Sequence, residues 1–191
     1  MFAVYKSTSH PAIIDALLSG KIGIIPTDTV YGLVALASNE QAVNRLHATK
    51  SRSNKPGPIV AANISQLVNM GFTIKELNKA RKYWPGAVSV IVQSQDLPYY
   101  LHVGIGSVPV RVVENHKIYN LLIITGPLVT TSANITGLPT VSNISEAIKI
   151  FGEKVDFYVD GGEIPNNIAS TIIKIEANRT TILRPGSAKV K

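Results

Sequence analysis

Helical and extended hydrophobic patterns alternate from one end of this 191-residue chain to the other, and that alternation limits its fold more than any other feature. Short apolar runs bounded by Pro, Gly, Asn or Thr read as strands at Ile22–Ile25, Val30–Leu36, Pro58–Ala62, Val88–Val92, Val108–Val113, Leu128–Thr131, Val155–Val159, Ser170–Ile175 and Thr181–Leu183. Between them lie helical patterns with their own start and stop signals. Pro11–Leu18 has Pro at its start and Gly20 just past its end. Ser38, with Gln41 three residues on, predicts a capped helix to about Lys50. Thr73 with Glu76 opens another to about Tyr83, which Trp84-Pro85-Gly86 ends, and His116–Leu122 forms a short one. Asn143, with Glu146 at the box position, caps a helix to Phe151. Strands and helices in this order predict an α/β layer fold around a mostly buried sheet, in one domain over residues 1–191. Strand order does not follow from such a pattern.

Several chemistries are excluded early. There is no cysteine, which removes disulfides, thiolate zinc sites and thiol catalysis and fits a reducing, cytoplasmic location. Met1–His10 lacks a signal-peptide pattern, and no apolar run approaches the ~18 residues a membrane span needs. His10, His47, His102 and His116 show no ligand spacing, so no protein-held metal is expected. Neither the phosphate-binding lysine loop, the dinucleotide glycine fingerprint nor a Gly-x-Ser-x-Gly elbow is present. The net charge of +7 attracts polyanions such as nucleotides and RNA, although a solvated basic surface accounts for it equally.

Four segments carry candidate chemistry. Lys50-Ser51-Arg52 stands at a helix C-terminus and runs on to Lys55-Pro56-Gly57-Pro58. Compensation of the helix dipole, worth about 0.3–1 kcal/mol, explains Lys50. It explains Arg52 and Lys55 less well, since these extend cations into a loop where they can reach an anion. Thr130-Thr131-Ser132-Ala133-Asn134-Ile135-Thr136-Gly137 offers hydroxyls and an amide among small residues, a cradle for an anion or an ordinary strand-to-loop turn. Pro26-Thr27-Asp28-Thr29-Val30-Tyr31-Gly32-Leu33 brings hydroxyls and one carboxylate to a strand end, where α/β folds place ligands. Asp28 and Thr29 bonding their own backbone is the plainer account of that turn. Arg111 interrupts the apolar strand, and either points to solvent or faces a polar pocket.

Taken together these segments resemble the YrdC-like family of threonylcarbamoyl-AMP synthases, over about Gly20 to Gly186 and in the family's order. Lys50/Arg52 match its Lys-x-Arg signature, Ser132/Asn134 its Ser-x-Asn signature, and Pro26–Leu33, Trp84-Pro85-Gly86 and Leu183-Arg184-Pro185-Gly186 three shorter ones. The resemblance implies a twisted, mixed sheet flanked by helices, with a large concave basic cavity. It implies that L-threonine, bicarbonate and ATP give threonylcarbamoyl-adenylate and pyrophosphate, with Mg2+ carried on the ATP. Partner proteins then pass the group to a tRNA adenosine. By the same resemblance Thr29, Arg111, Thr130 and Ser170 hold threonine, and Arg52, Lys55, Ser107, Ser132, Thr140 and Arg184 surround ATP. Lys50, Arg52, Ser132 and Asn134 form the catalytic signatures. The chain departs from the family pattern at Ser53, where Pro is usual, at Val34, near Val60 and Ala61, and over Asn167–Ala169, and its Arg52–Pro58 loop is a residue shorter. Its end soon after Arg184 matches the short, single-domain form, so the second domain of longer members is not expected.

Two functions of different class remain at this point. One is the synthase; the other is a module that binds tRNA or ribosomal RNA through the basic cavity without adenylate chemistry. Backbone-phosphate binding needs cations and falls with salt. It has no use for hydroxyls as dispersed as Thr29, Ser132 and Ser170, and RNA readers favour stacking aromatics, which are 6% of this chain. If Arg111 faces inward it needs an anion. Its strand neighbours Pro109 and Val113 supply none, which points to a substrate carboxylate.

Overall fold

A computed structural model of the chain describes residues 2–50, 55–114, 116–165, 167–177 and 179–190, with His116 as backbone only. Its strands are β1 (Ala3–Tyr5), β2 (Gly23–Pro26), β3 (Tyr31–Leu36), β4 (Ile59–Ala61), β5 (Val88–Gln93), β6 (Ser107–Val112), β7 (Leu128–Ser132), β8 (Phe157–Val159), β9 (Thr171–Glu176) and β10 (Arg179–Arg184). They form one mixed sheet in the order β1-β8-β2-β3-β7-β4-β6-β5-β9-β10. Pairing is parallel for β1/β8, β8/β2, β4/β6 and β5/β9 and antiparallel elsewhere. The helices are α1 (Pro11–Leu18), α2 (Glu40–Thr49), α3 (Ile64–Asn69), α4 (Ile74–Ala80), α5 (Tyr99–His102), α6 (His116–Thr125) and α7 (Ile144–Phe151).

Side chains alternate across a strand, so each strand feeds two cores. Tyr31, Leu33 and Ala35 of β3 join Ile59 and Ala61 of β4, Val108 and Val110 of β6, and Val88 and Val90 of β5 on one face. There α2, α3, α4, α5 and α7 cover them through residues such as Leu46, Leu67, Leu77, Leu101 and Phe151. The intervening residues Val34, Leu36 and Val60 pack on the other face against Ile13 and Leu17 of α1 and Ile118, Leu121 and Leu122 of α6. This second core stops short. Pro109 and Arg111 of β6 and Ile172 of β9 open instead onto a cleft, so the uneven covering of one sheet face creates the site.

The strand and helix assignments hold within about three residues wherever a local signal exists, the largest differences being the ends of α4 at Ala80 and α6 at Thr125. α2 is the instructive shift. Asn39, not Ser38, caps it: its Oδ1 accepts from the Ala42 N–H at 2.9 Å, and the helix begins at Glu40. Asn and Ser are comparable caps, so the choice falls to the residue whose carbonyl group reaches the first turn. Three elements had no counterpart in the sequence reading: β1, α3 and α5. α3 carries a legible signal, since Asn63 Oδ1 accepts from Gln66 N–H at 3.0 Å and Gln66 Oε1 accepts from Ala62 N–H at 2.9 Å. β1 and α5 are three and four residues long and offer no period to detect.

Candidate active site

The cleft has a volume of about 440 Å³, in the range of small-molecule sites. Its walls come from six separate stretches of chain: Thr27, Thr29, Val30 and Gly32; Lys50, Lys55 and Pro58; Pro109 and Arg111; Thr130 to Ser132 with Asn134, Thr136 and Gly137; Ala169, Ser170 and Ile172; and Arg184. Lys50, Lys55, Arg111 and Arg184 make the described lining cationic, and no carboxylate stands in it.

The turn between β2 and β3 is closed by Thr27. Its hydroxyl donates to Val30 O at 2.6 Å and accepts from the N–H groups of Thr29 and Val30, both at 3.2 Å. Thr27 thus performs the role expected of Asp28 and Thr29, whose side chains turn toward Arg111. Gly32 lies where a Cβ would meet Thr130 Oγ1 at 2.8 Å and Thr27 Cγ2 at 3.0 Å, so a larger residue there would push the two threonines apart.

Arg111 faces inward, which decides between the two alternatives for it. Its side chain is 4% exposed, and Nη2 lies 2.9 Å from Oδ1 of Asp28, whose side chain is 7% exposed. Nη1 donates to Thr29 Oγ1 at 3.4 Å, and Nε, also buried, has no hydrogen-bond partner. Asp28 Oδ1 meets the guanidinium as an ion pair out of line for a hydrogen bond. Burial pushes the Asp28 carboxyl above the usual carboxylate range, against the pull of Arg111. Burial also lowers Arg111, against the pull of Asp28. The lack of an acid beside Arg111 on its own strand, which pointed to a substrate carboxylate, does not leave it without an anion. The chain itself supplies it, from a turn distant in sequence, because the sheet sets β6 and the β2–β3 turn together.

Lys50 is the C-cap residue of α2 and is buried, with 8% exposure. Its ammonium reaches across the cleft floor to donate to Ser132 O at 2.8 Å, and to both the backbone and side-chain oxygens of Asn134. Ser132 Oγ donates to the same Asn134 Oδ1 at 2.7 Å, and Asn134 Nδ2 donates to Leu138 O at 2.6 Å. Thr136 Oγ1 closes the knot on Lys50 O at 3.3 Å. The two signatures are thus one physical unit: the Lys50 ammonium shapes the Ser132–Gly137 loop.

The third wall joins Ser170, Arg184 and Gly186, all marked in the sequence, to Ser89, which was not. Ser89 of β5, 1% exposed, shares a hydrogen bond with Ser170 Oγ at 2.9 Å. Arg184 Nη2 donates to Ser170 O at 2.7 Å. Gly186 presses on the same backbone so closely that a Cβ would lie 2.3 Å from Ala169 O. Ser187 N–H donates to Ala169 O at 2.9 Å, and Thr171 Oγ1 to Ala188 O at 2.6 Å.

Of the residues singled out from sequence, Thr29, Lys50, Lys55, Arg111, Thr130, Ser132, Asn134, Ser170 and Arg184 all line this one cleft. Ser107, at the start of β6, and Thr140, whose carbonyl receives the Asn167 amide, do not line it. Arg52 lies outside the described residues. Asp28 and Ser89 were missed in their present roles. The first had a signal, a carboxylate beside a hydroxyl at a strand end. The second, a small polar residue in an apolar strand, had almost none.

A cationic, hydroxyl-rich cleft of this size, walled by backbone turns at the open half of a mixed sheet, defines a protein of the α/β class suited to an anionic small ligand. The chain belongs to the Sua5/YciO/YrdC family: the family model described as "Telomere recombination" matches residues 15–186. A threonylcarbamoyl-AMP synthase of Pseudoalteromonas translucida is 34% identical over 173 residues, covering 84% of this chain and 90% of that protein. The threonylcarbamoyl-AMP synthase of Pyrococcus abyssi is 32% identical over 172 residues, covering 87% of this chain but 51% of its own length. The crystal structure of P. abyssi Sua5 complexed with L-threonine superposes with a TM-score of 0.83 at 28% identity, over 97% of this chain and 57% of that one. The chain thus spans about half the length of the P. abyssi relative. The likeness carries the expected fold, a twisted mixed sheet flanked by helices.

Proposed function

We propose that this chain is a threonylcarbamoyl-AMP synthase, forming threonylcarbamoyl-adenylate and pyrophosphate from L-threonine, bicarbonate and ATP. The observation that carries this reading is the union of two donor sets in one cleft. Thr29, Arg111, Thr130 and Ser170 suit an amino acid, and Lys50, Lys55, Ser132, Asn134 and Arg184 suit a triphosphate. The family relatives named for this activity support it.

The chemistry follows from those donors. The neutral amine of threonine attacks the carbon of bicarbonate or of the carbon dioxide derived from it, giving a carbamate and releasing water or a proton. A carbamate oxygen then attacks the α-phosphorus, and pyrophosphate leaves. Three anionic groups are crowded together in this sequence, and fixed cations and N–H or O–H donors stabilise both the crowding and the charge that develops at phosphorus. Loop 132–137 is tied by Lys50 and by its own hydrogen bonds, so this wall of the site needs no reorganisation when substrate binds. The described residues contain no group of three His, Asp or Glu able to hold a metal, and Asp28 is engaged by Arg111. Mg2+ therefore fits as a passenger on the triphosphate, arriving as part of the substrate.

The product serves partner proteins that carry the group to tRNA, in the cytoplasm. Binding of tRNA to this chain itself is then weak, non-specific and lost as salt rises. No helix among the described residues is long and apolar enough to cross a membrane. The test is exchange of labelled pyrophosphate into ATP. Exchange that requires both L-threonine and bicarbonate is the expected result. A folded protein with no exchange, but with tight sequence-selective tRNA binding at physiological salt, would move the chain to the RNA-module reading.

A further inference from the structure

Asp28 is an expensive residue. Its carboxylate is almost fully withdrawn from water, and it is absent from the lining of the cleft although its neighbours Thr27 and Thr29 are part of it. Burying a charge is costly unless a partner compensates, and a buried pair often adds no net stability over apolar residues of similar size. Stability alone is therefore a poor reason for an acid here. The geometry gives another. Arg111 lines the cleft, and both of its terminal nitrogens are engaged by the same turn: Nη2 by Asp28 at 2.9 Å and Nη1 by Thr29 Oγ1 at 3.4 Å. That turn is itself closed by the three hydrogen bonds of Thr27. Of the five guanidinium N–H donors, the one on Nε is buried and unpartnered.

We propose that Asp28 is a positioning residue for the amino-acid half of the site, fixing the Arg111 guanidinium so that its remaining donor capacity meets the α-carboxylate of threonine. The proposal rests on the reading of Arg111 as the carboxylate anchor. A long side chain with four rotatable bonds loses much freedom when it binds a ligand, and that loss is smaller when a partner already fixes it. The Asp28–Arg111 pair is also close to neutral as a unit. Affinity for the substrate carboxylate then depends on where the N–H groups point rather than on net charge, which makes the site sensitive to Asp28 although Asp28 touches no substrate.

The experiment measures apparent KM for L-threonine and for ATP by pyrophosphate release, in the parent protein and in the Asp28→Asn, Asp28→Glu and Arg111→Lys variants, with folding checked by thermal melting. Asp28→Asn should raise KM for threonine roughly ten- to hundredfold, the scale of one charge-assisted contact, and leave KM for ATP within about twofold. Asp28→Glu keeps the charge but displaces it by one methylene, and should also act on threonine alone, more weakly. A folded Asp28→Asn protein with unchanged KM for threonine, or with both constants raised alike, overturns the proposal. So does failure of both Asp28 variants to fold, which assigns Asp28 to stability. The outcomes separate from those of the parent reading. Absence of activity in the parent protein removes the synthase assignment. Equal effects of Arg111→Lys on both substrates remove the carboxylate anchor. An Arg111→Lys effect confined to threonine, without a matching effect of Asp28→Asn, removes this inference alone.

Discussion

Lys50 and Arg111 are both buried cations at the same cleft, yet the protein stabilises them by different means. The Lys50 ammonium sits among the oxygens of Ser132 and Asn134, dipoles belonging to the loop it shapes. The Arg111 guanidinium sits against a carboxylate from another turn. A cation held by dipoles organises a loop, and losing it loosens that loop while leaving no charge stranded. A cation held by a buried anion is one half of a pair, and losing it leaves the other half uncompensated. The Lys50 side of the cleft is thus built to yield locally, and the Arg111 side to fail as a unit.

The sharpest way to break this contrast is Arg111→Met. It leaves Asp28 buried without its counter-ion and should cost about 3–5 kcal/mol in urea unfolding, while the double variant Asp28→Leu/Arg111→Met should regain most of that. The pH dependence has a fixed sign. Arg111 is the main influence holding the Asp28 carboxyl down, so its removal moves Asp28 further above its reference value of 3.8. A folded pKa above the unfolded one means that the folded protein binds more protons in that window. The contribution of Asp28 to stability is then greatest below about 3.8 and is lost as pH rises through the folded pKa. The variant should lose more stability on this rise than the parent. Equal stability of Arg111→Met and parent at neutral pH would erase the distinction.

Lys50→Met comes next in size. Each hydrogen bond to a charged group is worth about 1.5–3 kcal/mol, but the acceptors that Lys50 releases are neutral dipoles of a loop lining the cleft, where water can replace it, so the loss should be smaller than for Arg111→Met and without its acid-side recovery. Its kinetic mark should be a raised KM for ATP, because the loop 132–137 loses its tie. The smallest expected effect is Ser89→Ala, which removes one neutral hydrogen bond to Ser170 and should cost about 1 kcal/mol. A several-fold rise in KM for threonine, measured beside an unchanged KM for ATP, would place Ser170 in the amino-acid half. No kinetic change would leave Ser89 a packing residue.

How far the sequence reveals this molecule depends on how local the cause is. Thr73 with Glu76 and Asn143 with Glu146 announced helices correctly, because a cap is satisfied within four residues. Asn39 displaced Ser38 because two adjacent cap formers are separated only by which one reaches the turn. Arg111 was conspicuous in an apolar strand, but its partner could not be found by looking along that strand. Asp28 reaches it only because β3, β7, β4 and β6 lie side by side in the sheet. The Lys50 and Asn134 signatures were visible as two motifs, yet their direct bond is a tertiary event. Ser107 and Thr140 were chosen by resemblance to a nucleotide site and are not part of the cleft lining.

The pressing of Gly186 on the Ala169–Thr171 backbone has a consequence for how the protein comes into being. Thr27, at the opposite wall, leaves the ribosome some 157 residues before Arg184, a delay of roughly 8–31 s at ordinary synthesis rates. Once made, the buried pair and the Lys50 loop still lack the third wall until that interval ends. Their strands must also wait for partners distant in the chain, a topology that folds slowly. The complete cleft therefore exists only after nearly all the sequence has been made.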